Sequence, residues 1–216
     1  MYVPGHFAMD DGAVQDLLLH HGAGELVTAT ERGLVSTLLP FVYAPAEGDH
    51  GSLLGHFART NEHWRLTPVG EAMVILRGPD AYISPGWYAS KAEHGRVVPT
   101  WNYSAVQFTG RIEVLDDPVW VRGAVERLTD LHEDPRRAAG YDAWAVTDAP
   151  ENYVDKQLRA IVGLELTIEG VSAKAKLSQN RSEADADGVV AGLRREGGAR
   201  EGDVANAMER LARPPG

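Results

Sequence analysis

The sequence predicts a mainly β protein of the α+β kind, an antiparallel barrel with peripheral helices, and three observations carry that prediction. Its β-rich segments are joined by short turns and not by helical crossovers. These segments fill most of the first half, whereas helical periodicity is confined to the start of the chain and the region after residue 115. No G-x-G-x-x-G follows a strand, which disfavours a doubly wound nucleotide-binding sheet.

Taken in order, residues 10–21 open on Asp10 as an N-cap, place Val14, Leu17, Leu18 and His21 at helical spacing, and stop at Gly22. Residues 26–30, a Glu31-Arg32-Gly33 turn and residues 34–39 before Pro40 predict a hairpin. Residues 41–44, an acidic glycine turn at 47–51 and residues 52–57 predict a second hairpin step. Further strands are expected over 71–77, 81–84 and 103–115, the last being richest in β-branched and aromatic residues. Asp116-Asp117-Pro118 then opens a helix with Val121, Val125, Leu128 and Leu131 on one face, ending near residues 132–135. A second helix starts at Pro150-Glu151 and carries Val154, Leu158 and Ile161 to a stop at Gly163. Residues 164–169 and 173–177 alternate like a returning strand pair. Beyond Glu183, weak helical periods run through Val189, Val190 and Leu193 and again through Val204, Met208 and Leu211, with breaks at Gly197-Gly198 and at the closing Pro-Pro-Gly. The expected organisation is a domain over 1–181 and a partly flexible helical arm over 182–216.

Composition narrows the function. A chain of 216 residues with 44% hydrophobic and 24% charged residues is an ordinary folded protein, one large domain or a domain with an appendage. With 21 basic against 31 acidic residues the net charge is -10, which argues against bulk attraction to DNA or to anionic membranes. The absence of cysteine excludes disulfides, thiolate metal sites, iron–sulfur clusters and cysteine nucleophiles. The N-terminus lacks a basic and then apolar leader, and no stretch reaches the ~18 apolar residues of a membrane span, so a cytoplasmic protein is expected. Every Trp, Tyr and Phe lies at or before Tyr153, so the aromatic part is expected to hold the main core and any site for a planar ligand.

There is no P-loop, no H-E-x-x-H and no G-x-S-x-G elbow. The eight histidines form no recognised metal-ligand spacing, and no metal site is expected. More informative are four segments with polar groups set between aromatics, at 36–41, 55–61, 82–88 and 98–103, and a fifth at 176–181. Each alone reads better as a turn with core aromatics. Together they supply planar faces, amides, hydroxyls and fixed positive charge, the requirements of a flavin-like heteroaromatic phosphate ligand.

The same segments carry a resemblance. Met1-Tyr2-x-Pro4 with Phe7, Leu39-Pro40-Phe41, Gly-His-Phe-Ala-Arg-Thr-Asn at 55–61, Gly-Pro-Asp-Ala-Tyr-Ile-Ser-Pro-Gly-Trp-Tyr at 78–88, Val-Pro-Thr-Trp-Asn-Tyr at 98–103 and Lys-Leu-Ser-Gln-Asn-Arg at 176–181 are similar to the PaiB family, described as FMN-binding negative transcriptional regulators. The likeness runs from residue 1 to about 195. It implies the FMN-binding split barrel of the pyridoxamine-phosphate-oxidase class, an antiparallel barrel of the six-stranded type, forming a homodimer with flavin at the subunit interface. By this resemblance Arg59 and Asn61 would grip the FMN phosphate, and Arg59 reads equally as a surface charge. Lys176, Ser178, Gln179, Asn180 and Arg181 resemble a basic motif that reaches the flavin. Ser36 and Thr37 could bond the ring system, His56 stands in the same string as Arg59, and Trp101, Asn102 and Tyr103 could form a wall and polar edge, with Trp101 equally a core residue. One departure concerns Leu38, which stands where the family pattern leads us to expect a histidine.

The leading functional expectation is a flavin-dependent oxidoreductase or flavin-linked regulator with FMN as cofactor. Alternatives are a transcriptional repressor acting through DNA or a partner, and a haem-handling or cofactor-free biosynthetic member of the same fold class, with His56 as a candidate axial ligand. The acidic balance and the interruption of Arg194-Arg195 and Arg200 by Glu196 and Glu201 argue against direct DNA contact. The sequence assigns no catalytic acid, base or nucleophile.

Overall fold

In chain order the computed structural model, which describes residues 1–20, 23–47 and 50–212, contains α1 (Asp11–His20), β1 (Ala23–Thr30), β2 (Gly33–Pro40), β3 (Val42–Ala44), β4 (Ser52–Ala58), β5 (Pro68–Ile83), α2 (Ser90–His94), β6 (Thr100–Leu115), α3 (Pro118–Ala138), α4 (Glu151–Leu158), β7 (Ile161–Lys176), α5 (Glu183–Glu196) and α6 (Ala199–Ala212). Short 3₁₀ turns cover Gly5–Phe7, Glu62–Arg65, Pro85–Trp87 and Val146–Asp148. His21, Gly22, Gly48, Asp49 and the closing Pro-Pro-Gly, which figured in the sequence reading, lie outside the described residues. The sheet order is β2-β1-β5-β6-β7-β4-β3, so there are seven strands when the three-residue β3 at the edge is counted. The pairs β1–β2, β1–β5, β3–β4 and β4–β7 are antiparallel.

Local chemistry explains the ends of these elements. Asp10 Oδ1 accepts the Ala13 N–H at 2.8 Å and caps α1. Thr30 organises the first hairpin, its hydroxyl accepting from Arg32 N–H at 3.1 Å and donating to the Gly33 carbonyl at 2.8 Å. The cap of α3 is Asp117, whose carboxylate accepts the Val119 N–H at 3.0 Å ahead of Pro118 in the first turn.

Four boundaries differ from the sequence reading. The segments expected at 71–77 and 81–84 are one strand, β5, running through Gly78-Pro79. Proline's fixed φ suits an extended chain where no N–H is needed. The mark it leaves is a change of parity, with Ala72, Val74 and Leu76 buried before it and Ala81 and Ile83 after it. The expected pair at 164–169 and 173–177 is likewise one strand, β7, continuous through Gly170. Helix α3 runs past Pro135 to Ala138, because a proline in the last turn removes a single bond and the Ala139 N–H still reaches the Pro135 carbonyl at 3.0 Å. Helix α4 stops at Leu158, and Ile161 belongs to β7, where it pairs with Ala58.

The chain divides into two compact units. The first comprises residues 1–14, 77–106 and 172 onward; the second comprises 15–76 and 107–171. In the first unit, Ala81, Ile83, Tyr88 and Leu177 pack with Val189 and Leu193 of α5 and with Val204 and Met208 of α6. Val189, Leu193 and Val204 are fully buried, each contributing roughly 1.5–3 kcal/mol. The contact is close at Trp87, because a Cβ on Gly188 would run into the Trp87 carbonyl oxygen and one on Gly192 into its indole ring. The Asp185 carboxylate joins the same contact by accepting from Ser90 N–H and Oγ–H, both at 2.9 Å, and the Ser90 backbone bond holds it below the ordinary carboxylate range. In the second unit, Trp120, Ala124, Leu128 and Leu131 of α3 pack on Val42, Ala44 and Leu54. Val154 and Leu158 of α4 pack with Val121 and Val146.

The glycine contact is testable. We expect Gly188→Ala to lower stability by about 1–3 kcal/mol in urea unfolding, since the added methyl meets backbone that must move. Gly123→Ala in α3, where a Cβ meets nothing within 4 Å, is expected to raise it by about 0.5–1 kcal/mol. Equal effects at the two positions would refute the close approach of α5 to Trp87.

Candidate functional site

Within the second unit, a hydrogen-bonded chain joins β2 to the turn that follows β4. Asn61 caps the Glu62–Arg65 turn, its Oδ1 accepting the His63 N–H at 2.9 Å. Its Nδ2 lies 3.4 Å from Thr37 Oγ1, and Thr37 Oγ1 lies 2.8 Å from His63 Nδ1. The His63 ring sits 5.3 Å from the Phe57 ring and is 4% exposed. Its Nε2 has no hydrogen-bond partner among the described residues. Burial pushes the His63 pKa down.

His63 and Phe57 line a cleft of about 350 Å³ whose other walls are Trp64, Arg65, Leu66, Thr67, Pro68 and, from β6, Ile112, Glu113 and Val114. That volume falls in the range of small-ligand sites. The Arg65 guanidinium lies 4.9 Å from the Trp64 ring centroid, and no ion pair holds it among the described residues. Glu113 is exposed to solvent. The cleft is thus bordered by a buried imidazole, an aromatic face and a cation without an ion pair among the described residues.

The residues singled out from sequence separate in informative ways. Side chains alternate along a strand, so Thr37 reaches His63 while Ser36 and Leu38 share the other face of β2, where Leu38 is 65% exposed. His56 likewise alternates with Phe57, is half-buried opposite Gly163, and has its pKa lowered by burial. The Arg59 guanidinium is bound to Asp116 through Nη1 at 2.9 Å and Nη2 at 2.5 Å, to the Arg159 carbonyl through Nε at 2.8 Å and to the Ile161 carbonyl through Nη2 at 3.0 Å. Those bonds use four of its five donors, so it acts here as a staple. The bond to Asp116 raises the Arg59 pKa, and the reciprocal bond lowers that of Asp116.

The remaining candidates lie in the first unit. Asn102 is fully buried, its Nδ2 donating to Ser178 Oγ at 3.0 Å. Ser178 has a φ of 69°, the single positive-φ non-glycine residue among those described. Gln179 closes the same turn, accepting from Leu177 N–H at 2.7 Å and donating to the Ala175 carbonyl at 2.6 Å. Lys176 donates to Thr100 Oγ1 at 2.6 Å and to the Trp101 carbonyl at 2.7 Å. Its pKa is lowered, first by burial and then by the charges of Lys174 and Arg181. Lys174 is buried beneath the rings of Tyr2, Phe7 and Tyr103, and Arg181 stacks on Tyr88 at 4.6 Å. Trp101 is 44% exposed, and Asn180 is exposed as well.

Sequence reasoning missed His63, Trp64 and Arg65. His63 was counted among scattered histidines, although it follows Asn61, a strong capping residue, by two positions. Among the described residues no group of three or more His, Asp or Glu side chains is placed to hold a metal ion, and no helix is long and apolar enough to cross a membrane.

The sheet and its flanking helices define the class as the split barrel. A FAD and haem binding protein from Mycobacterium smegmatis shares the fold with a TM-score of 0.52 and 20% identity, over 85% of this chain and 78% of that one. A conserved hypothetical protein from Mycobacterium tuberculosis does so with a TM-score of 0.55 and 12% identity, over 83% of this chain and 92% of that one. Within that class the chain belongs to the PaiB family, whose model, described as "Putative FMN-binding domain", matches residues 1–170. It is similar to protease synthase and sporulation protein PAI 2 of Bacillus subtilis, 30% identical over 211 residues and 97% of each chain. An uncharacterized protein of Emericella nidulans is 31% identical over 214 residues, covering 83% of this chain and 84% of its own.

His56, half-buried, and His63, buried, set a pH dependence. His56 and His63 have pKa values below the ordinary 6.5, so the unfolded chain binds more protons than the folded one as pH falls through that value, and stability falls with it. Chemical unfolding at about pH 7 and about pH 5 should show this loss, reduced in a His56→Gln, His63→Gln variant. Stability that is flat or rising on acidification over this range would contradict it.

Proposed function

We propose that this protein binds flavin mononucleotide, with the cleft of the second unit as its site, and that it acts as a flavin-linked oxidoreductase or regulator. The observation that carries the reading is the meeting, around one cleft, of His63, whose Nε2 has no hydrogen-bond partner among the described residues, the Trp64 ring and the Arg65 guanidinium, which forms no ion pair among them. A ring system with polar edges and a phosphate near −2 calls for this combination. Family membership supports it independently.

The residues present fit such a group. Phe57 and Trp64 would offer faces to the ring, Arg65 would meet the phosphate, and His63 would supply a polar contact inside the cleft. Bound FMN supplies hydride and electron chemistry, while the chain supplies position, charge and exclusion of water. A homodimer is part of the proposal, because β2 ends the sheet with Leu34 78% and Leu38 65% exposed, and an apolar edge strand needs covering. Direct DNA binding is not. Of the tail arginines, Arg194 is paired with Glu209 at 3.1 Å and Arg200 with Asp80 at 3.0 Å.

FMN added to the purified protein is expected to lose fluorescence on binding. Arg65→Ala should weaken FMN by about ten-fold through loss of a charge-assisted contact, and leave riboflavin, which lacks the phosphate, unchanged. No binding of either flavin by the wild type would end the proposal, and equal losses for both would remove Arg65 from the phosphate.

A further inference from the structure

Three bonds determine where the proton sits on His63. The His63 backbone N–H donates to Asn61 Oδ1, which fixes the orientation of that amide and turns Nδ2 toward Thr37 Oγ1 as a donor. Thr37 Oγ1 therefore accepts from Asn61, and although the hydroxyl keeps a second lone pair, the one acceptor within reach of its own hydrogen among the described residues is His63 Nδ1 at 2.8 Å. A hydroxyl that donates to Nδ1 requires the lone pair there, and a neutral imidazole then carries its proton on Nε2. Burial, which disfavours the imidazolium, keeps the ring neutral. The result is a buried N–H without an acceptor among the described residues, on a residue that lines the cleft. Buried donors are rarely left unmet in folded proteins, and an unmet one calls for an explanation.

We infer that His63 contacts the ligand, its Nε2–H held through Thr37 and Asn61 for an acceptor atom of a planar ring, a carbonyl oxygen or an unprotonated ring nitrogen. The inference rests on the flavin reading for the identity of that ring, since isoalloxazine carries both kinds of acceptor. Thr37 and Asn61 are positioning residues, because they act through His63. The same tautomer opposes iron ligation by His63, which would need the lone pair on Nε2. A donor aimed at the ring binds more strongly as the ring gains electrons, so it raises the reduction potential of the bound flavin. The division of labour is specific: Arg65 serves the phosphate, and His63 serves the ring.

The test uses the full chain as wild type, His63→Phe and Thr37→Val, with FMN and riboflavin as probes, together with ¹⁵N NMR of the His63 ring. Wild type is expected to show the proton on Nε2, with that resonance moving when FMN is added. His63→Phe should weaken FMN and riboflavin alike, by about ten-fold, and lower the potential of the bound flavin. Thr37→Val should keep the imidazole but populate both tautomers, with a smaller loss, and it serves if His63→Phe fails to fold. A wild-type proton on Nδ1 overturns the inference, as does a folded His63→Phe protein with unchanged affinities and potential. Wild type that binds neither flavin overturns the flavin reading itself; wild type that binds both, with His63→Phe unaffected, overturns the donor assignment alone.

Discussion

The geometry of the cleft depends on how the chain leaves β4. Immediately after Ala58 the Arg59 N–H donates to the Ala160 carbonyl at 2.8 Å, and its side chain bridges Asp116, Arg159 and Ile161. These partners stand at the start of α3 and the start of β7, so one guanidinium ties three chain segments together. The Arg59 carbonyl in turn accepts the Trp64 indole N–H at 3.1 Å. With Asn61 bonded to both Thr37 and the His63 backbone, the turn is pinned at each of its ends. The His63 ring is held in place by bonds at its backbone N–H and at Nδ1, although Nε2 has no partner among the described residues.

A net charge of -10 makes the local positive groups more telling. Most arginines of the chain are paired with carboxylates, including Arg122 with Glu151 and Asp155 and Arg127 with Glu47. Lys174, Lys176 and Arg181 of the first unit form no ion pair among the described residues. They are accommodated differently, by backbone carbonyls and ring faces. Such contacts satisfy a cation's hydrogen-bonding and polarisation needs without cancelling its charge, so the field of these groups persists, and the Lys176 pKa is lowered first by burial and then by the charges of Lys174 and Arg181.

What the sequence made legible followed from local signals. Asp10, Asp117 and the Gly197-Gly198 break marked helix ends because capping chemistry acts within a few residues. Gly78-Pro79 and Gly170 misled, because punctuation by Gly and Pro is overridden when neighbouring strands pair through it. The site was half legible. Thr37 and Asn61 fell inside motifs and do lie together, whereas Arg59 fell inside a motif and is engaged in structure. Nothing in the local pattern could distinguish those two outcomes, since the partner of Arg59 is Asp116, 57 residues away. His63 escaped notice because its significance is an absence, a hydrogen-bond partner missing at Nε2 among the described residues, and only three-dimensional packing can display it.

Leu38 brings these lines together. A histidine at this position would suggest a polar group facing the ligand, and its replacement by leucine would then weaken the site. The strand alternation argues otherwise, because Thr37 is the residue of the pair that joins His63, and position 38 points the opposite way. The exchange leaves the Asn61, Thr37 and His63 chain intact. What it alters is the outer face of the edge strand, where Leu38 now stands with Leu34 on the same side of β2. The departure at Leu38 therefore changes the outer face of β2 and leaves the Asn61, Thr37 and His63 contacts untouched.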